Sequence, residues 1–403
     1  MVTIPGKATH QQTRALNAAL VLRALYDHGP VSRASVARMT GLTRTTVGEL
    51  IGELIGEGLA REVGRGPSTG GKAPIMLELV DDARQVIGLD LGESVFRAAL
   101  LDLRGQVQRT IERTVVGLDG RQWLEVVHEL IEELSRDAGG RLLGIGVGTP
   151  GIVDAASGNL LWAVNLDWQN LPLGEILRAR HGVPVEVAND SRAAALAVEL
   201  FSGQRRSNLV AIKVGLGVGA GVVLGGELFH GDGFGAGEIG HVVVDDDGTE
   251  CRCGRFGCLE TVASSRAILE RALAAAAANP DSQLGLQLAA TGRLSLEDVR
   301  AAVEAGDEGA RTIVVTAGRV LGRAVAAVIG ILDIQHVVLH GSVAHLGDPW
   351  LDAVRTEARR CSLALLSKDV SIELAPPIGD LVVMGASALL LSAELGLAGS
   401  RAA

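Results

Sequence analysis

Aromatic residues make up only 2% of this 403-residue chain, with a single tyrosine, so core volume falls to alanine, valine and leucine within a 47% apolar composition. No uninterrupted apolar run reaches the roughly 18 residues of a membrane span, and the first residues lack the apolar segment of a signal peptide. These absences predict a soluble, cytoplasmic protein, long enough for two or three domains around an ample core. Positive charge is short as well: the net charge of −10 argues against nucleic-acid binding by the chain as a whole. Residues 1–75 depart from that average, with nine Lys or Arg against five acids, net +4, which leaves −14 for the rest. A basic head on an acidic body suggests that the head alone meets phosphates.

Cysteine is scarce too, yet three of the four, Cys251, Cys253 and Cys258, fall within eight positions, ten residues after His241. Three thiolates and one imidazole complete a tetrahedral zinc shell, and a closed shell of that kind is structural because it leaves no position for a catalytic water. The competing reading is one oxidised pair, but Cys-x-Cys closes too short a loop for an unstrained disulfide.

In the head, Ala18, Val21, Leu22 and Leu25 share one helical face between Asn17 and Tyr26, and His28-Gly29-Pro30 ends that helix. A second short helix follows Ser32, an N-cap residue type, and breaks at Gly41. A third begins at Thr43, with Val47, Leu50, Ile51, Leu54 and Ile55 as its buried stripe. Two short helices joined by Thr40-Gly41-Leu42 have the pattern of a helix-turn-helix. Strands over 59–63 and 74–79, joined by a glycine-rich link, then predict a wing that is basic at Arg65 and Lys72. The first turn of the third helix, with Thr43, Arg44, Thr45 and Thr46, is expected to face base edges and phosphates, and Arg33 is assigned to the same face. The alternative is a three-helix interaction module that never touches DNA.

The segments VGLGVGAG (214–221), GEIGH (237–241) and CRCGRFGCLE (251–260) together resemble the signature of the ROK family of sugar kinases, repressors and uncharacterised reading frames. The segment SRASVARMTGLTRTTVGELIGELIGEGLAREVG, followed by GGKAPIMLEL, is similar to the winged head of the ROK repressors, which the kinases lack. The resemblance implies an α/β fold: a winged helix-turn-helix, then a two-lobed actin-like ATPase (ROK, ribonuclease H-like) body with a structural zinc loop. It divides the chain into a DNA-binding domain, 1–80, and a sugar-binding body, 81–403. The smaller lobe is expected over about 81–190 plus the C-terminal helix, the larger over about 191–380. It also implies that Asn189, Asp190, Glu238, His241 and Glu260 bind a sugar, that His241, Cys251, Cys253 and Cys258 hold zinc, and that Asp190 is the general base in a kinase.

The nucleotide end departs from the kinases. Where they carry Gly-Gly-Thr, this chain has Gly92, Glu93 and Ser94, and a carboxylate about 4 Å from a phosphate charge costs about 4 kcal/mol at an effective dielectric near 20. Leu216 replaces the threonine of Gly-Thr-Gly, and His340 sits where a first glycine is usual. The implied function is a sugar-responsive regulator, most naturally a repressor acting as a homodimer or dimer of dimers on operator DNA, without kinase activity. The alternatives are a sugar kinase with an attached DNA-binding head and a ligand-independent regulator. His336 and His345 carry no special role in this reading, and Cys361 is expected to be a packed thiol.

Overall fold

The computed structural model describes residues 10–67, 73–92, 94–163, 166 and 168–396, without the side chains of 10–12, so Lys72 and Glu93 lie outside the described residues. The head comprises α1 (His10–His28), β1 (Val31–Ser32), α2 (Arg33–Thr40), α3 (Arg44–Gly56), β2 (Ala60–Arg65) and β3 (Ile75–Leu79), with sheet order β1-β3-β2. Both caps form as the residue types dictate: Ser32 Oγ accepts from Ser35 N at 3.2 Å and Thr43 Oγ1 from Thr46 N at 3.2 Å. Helix α1 starts at His10, seven residues before the expected Asn17, and its polar first turns are tied down by an Arg14–Glu53 ion pair to α3.

The body continues with β4 (Gln85–Leu91), β5 (Val95–Asp102), β6 (Val107–Thr114), α4 (Gly120–Ala138) and β7 (Leu142–Thr149). A small sheet of β8 (Ile152–Asp154), β9 (Asn159–Ala163) and β10 (Trp168–Leu171) precedes α5 (Leu173–His181), β11 (Val185–Asn189) and α6 (Asp190–Phe201). Next come β12 (Leu209–Val214), β13 (Val218–Leu224), β14 (Glu227–Leu228), the cysteine loop and α7 (Glu260–Ala263). Helices α8 (Ser265–Ala278), α9 (Gln283–Thr291), α10 (Leu296–Glu304) and α11 (Glu308–Leu332) lead to β15 (His336–His340). The chain closes with α12 (Asp348–Cys361), α13 (Ala364–Ser367), β16 (Ser371–Leu374) and α14 (Leu381–Leu395).

Two five-stranded sheets repeat one topology. In β6-β5-β4-β7-β11 an antiparallel meander is followed by two parallel strands, and β14-β13-β12-β15-β16 has the same order and the same senses. Helix α11 is long and apolar enough to cross a membrane. Here it is a core helix: Ile313, Val314, Ala317, Leu321, Val325 and Ile329 are buried under the second sheet, while Arg323 Nε reaches Glu357 Oε1 of α12 at 2.8 Å. Cys361 differs from expectation, because as the last residue of α12 it falls on the solvent side and is exposed.

Helices α6 and α14 pack face to face, α14 on β4 and β7, α6 on β12 and β13, and so join the two sheets. Their closest approach is at Gly385, where an added Cβ would stand 1.7 Å from the carbonyl oxygen of Ala193. Gly385→Ala must therefore part the helices, and a loss of roughly 1–3 kcal/mol or more is expected in the urea unfolding midpoint.

Candidate functional site

Between the two sheets lies a cleft of about 1150 Å³, lined by Asp90, Asn189, Asp190, Lys213, Glu238, His241 and Glu260 among others. All five residues expected to meet a sugar thus line one cavity. Strand β11 delivers Asn189 to the edge of the cleft, and its side chain also caps α6: Oδ1 accepts from Ser191 N at 2.9 Å and Arg192 N at 3.3 Å, while Nδ2 donates to Gly151 O at 3.0 Å. Asp190, 9% exposed, accepts from Ser191 N at 2.6 Å and Ser191 Oγ at 3.2 Å on one oxygen and from Lys213 Nζ at 2.7 Å on the other. Burial raises its pKa, but the Lys213 charge, the Lys213 hydrogen bond and the Ser191 donors together hold it below the ordinary value.

Opposite, Glu260 Oε2 accepts from Val218 N at 3.1 Å. Gly217 makes room for it, since a Cβ there would lie 2.8 Å from that oxygen. Burial raises the pKa of Glu238, and His241 counters it. Arg192, 2% exposed, donates through Nε to Ala236 O at 3.4 Å and through Nη2 to Ala236 O at 3.2 Å and to Phe234 O. It therefore fixes the loop before Glu238 and does not reach outward to a ligand. Sequence reasoning missed both this role and Lys213, whose signal is one cation inside the apolar strand VAIKV.

His241, Cys251, Cys253 and Cys258 present ligand atoms that all lie within 4.8 Å of one another. Cys251 Sγ is 3.6 Å from His241 Nδ1, and Cys253 Sγ is 3.7 Å from Cys258 Sγ. Two thiolates each about 2.3 Å from a tetrahedral zinc lie roughly 3.8 Å apart, so the set has the spacing of a metal shell.

On the head, Arg44 and Thr45 are exposed on the first turn of α3, and Arg44 has no ion pair among the described residues. Thr43 and Thr46 are more committed than expected: their hydroxyls lie 2.9 Å apart and serve the cap. Arg33 is likewise engaged, its Nη2 3.0 Å from Glu62 Oε1 of β2. Arg65 is exposed at the end of β2.

At the inner end of the cleft, Leu216 at the tip of the β12–β13 turn is 39% exposed. His340 is 8% exposed, and burial and Lys213 push its pKa down to about 3. Asp90 is 4% exposed with Oδ1 unpartnered; burial raises its pKa from 3.8 to about 7, Lys213 and Arg97 lower it, and Asp380 and Asp190 raise it. A raised carboxylate contributes stability that is fully present below 3.8 and is lost as the pH rises through about 7. Asp90→Asn should flatten that decline, which amounts to a few kcal/mol in order of magnitude, in urea titrations run across the window.

Comparison with known proteins fits this geometry. The ROK family model matches residues 86–393. A putative xylose repressor of Caldicellulosiruptor sp. (strain Rt8B.4) is 31% identical over 395 residues, covering 95% of this chain and 97% of that protein. Among solved structures, a ROK family transcriptional regulator homologous to the E. coli Mlc protein superposes with a TM-score of 0.83 at 29% identity, over 96% of this chain and 98% of that one. A ROK glucokinase from Streptomyces griseus, solved with glucose and AMPPNP, matches with a TM-score of 0.69 at 29% identity and covers 76% of this chain and 98% of its own. With both sheets, the cleft and the cysteine loop inside the matched span, the chain belongs to the ROK family.

Proposed function

We propose that the chain is a sugar-responsive DNA-binding transcriptional regulator that represses genes of carbohydrate uptake or catabolism. The observation that carries this reading is the union, in one chain, of a head that pairs the helices α2 and α3 with the β2–β3 hairpin and a cleft lined by Asn189, Asp190, Glu238, His241 and Glu260. Convergent carboxylates and amides suit a polyol, each hydroxyl of which both donates and accepts. The name of the full-length relative, a xylose repressor, supports the same assignment. On DNA, Arg44 and Thr45 are the donors left free to read bases, with Arg65 at the end of β2 meeting the backbone and Arg33, Thr43 and Thr46 shaping the approach.

Helix α6 supplies a route between the two sites. It starts at Asp190 in the cleft, and farther along it Leu196 and Leu200 share a core with Val21, Leu22, Leu25 and Tyr26 of the head. A sugar that favours the DNA-incompetent arrangement by 1–3 kcal/mol through such an element is enough for regulation. Two heads on a homodimer, or on a dimer of dimers, would read half-sites one helical turn or a multiple apart. The cytoplasm is the compartment this function requires.

Zinc is the metal that the three thiolates and one imidazole fit, and with four protein ligands it would brace the loop that carries His241 and Glu260. Cys253→Ser is expected to lower zinc content by metal analysis and to lower the melting temperature; unchanged metal content would remove the assignment.

A second reading, a sugar kinase with a DNA-binding head, draws on the presence of Asp190. Its ion pair with Lys213 weakens it as a base, and Leu216 offers no hydroxyl to a phosphate, which favours a non-enzyme. Electrophoretic mobility shifts on promoter fragments, with and without xylose, glucose or N-acetylglucosamine, test the function directly. Arg44→Ala should weaken binding by roughly 1–3 kcal/mol if it reads a base. Brisk sugar-dependent ATP consumption without operator binding would replace the regulator by the kinase.

A further inference from the structure

The cleft holds one feature that neither sugar recognition nor DNA binding requires. Lys213, on β12 of the second sheet, places Nζ 2.7 Å from Asp190 Oδ2, and a quarter of its side chain remains open to the cavity. Strand pairing sets Gly219 on one side of it and His340 on the other. Gly219 leaves space for Ser191, because a Cβ there would fall 2.5 Å from Ser191 Oγ. Ser191 in turn occupies the other oxygen of Asp190. His340, its pKa driven down by burial, is neutral and does not repel the ammonium. Asp90, on β4 of the first sheet, has Oδ2 3.7 Å from Arg97 Nη1, lies within the electrostatic reach of Lys213 and Asp190, and keeps its buried Oδ1 without a hydrogen-bond partner.

A nearly buried carboxylate such as Asp190 needs a compensating cation, which is either a charged side chain or a metal ion. We infer that Lys213 is the resident cation at Asp190: its ammonium occupies the carboxylate oxygen that a divalent metal ion in this cleft would otherwise take, and it holds Asp190 as an anion that is already engaged. Three consequences follow from the charge alone. A dication approaching Asp190 meets a fixed positive charge at contact distance, so metal is disfavoured there. The proton stays on lysine, so Asp190 accepts hydrogen bonds from a hydroxyl but is a poor acceptor of its proton. The ion pair also ties β12 of the second sheet to the start of α6. Lys213 is a positioning residue: it acts through Asp190.

This inference rests on the reading of the cleft as a non-catalytic sugar site, but its test uses neither sugar nor DNA, so the two can fail separately. Thermal melting of the full chain is followed in buffers of matched ionic strength, with sodium chloride as control and magnesium chloride or ethylammonium chloride as probes. Wild type is expected to respond to neither probe beyond the sodium control. Lys213→Ala should melt several degrees lower and recover at least half of the loss with ethylammonium or magnesium, whereas Lys213→Arg should stay near wild type. Lys213→Met keeps the aliphatic bulk without the charge and should also melt low. The double variant Lys213→Met/Asp190→Asn removes the stranded anion and should melt above Lys213→Met. The inference is overturned if magnesium stabilises wild type as much as Lys213→Ala, or if Lys213→Met melts with wild type. If Lys213→Ala yields no folded protein, the double variant decides: recovery over Lys213→Met supports the resident cation, and no recovery overturns it.

Discussion

The contact on which the molecule depends is the face-to-face packing of α6 against α14, close enough at Gly385 and Ala193 to exclude a side chain. Each helix lies on its own sheet, so this seam is where the two five-stranded units are joined. It also fixes the cleft, because the first residues of α6 are cleft residues. Any small rotation of one sheet against the other has to be accommodated along this seam, where interior packing resists continuous deformation and favours discrete arrangements. Under the function proposed above, a ligand held by Asn189 and Asp190 on one side and by Glu238 and Glu260 on the other would act on the orientation of the sheets.

The polar groups of the cleft divide into those already satisfied and those still free. Asn189 and Asp190 spend much of their capacity on the cap of α6 and on Lys213, which fixes their rotamers before any ligand arrives. Preorganisation of this kind lowers the ordering cost of binding. It also limits the chemistry, since an acceptor held below the ordinary carboxylate range keeps its anionic form throughout the physiological interval.

What was legible in the sequence is what is local in the chain. The caps at Ser32 and Thr43, the stripe of α3 and the ligand set from His241 to Cys258 each lie within one short segment, and the structure places them as the residue types dictate, with Ile55 of the stripe only half-buried. The shared cleft of the five residues expected to bind sugar was legible only through family resemblance, because Asn189 and Glu260 come to one cavity from positions 71 residues apart. Contacts made by folding alone were not legible. Lys213 reads as a stray charge in a strand until Asp190 is beside it, Arg33 looks free until Glu62 returns on β2, and Cys361 looks packed until its side of α12 is known. The small sheet β8–β10 also escaped, since its strands of three to five residues are too short for a period-two pattern to stand out.

One further consequence lies in the floor of the head. Val21, Leu25 and Leu77 belong to the same buried cluster as Leu103, Leu200 and Leu390 of the body, and the guanidinium of Arg104 sits 4.3 Å from the ring centroid of Tyr26. A module that borrows its underside from its neighbour is no interchangeable cassette. Transplanted alone onto another scaffold, it would carry a bare oily sole, so head and body form a matched set.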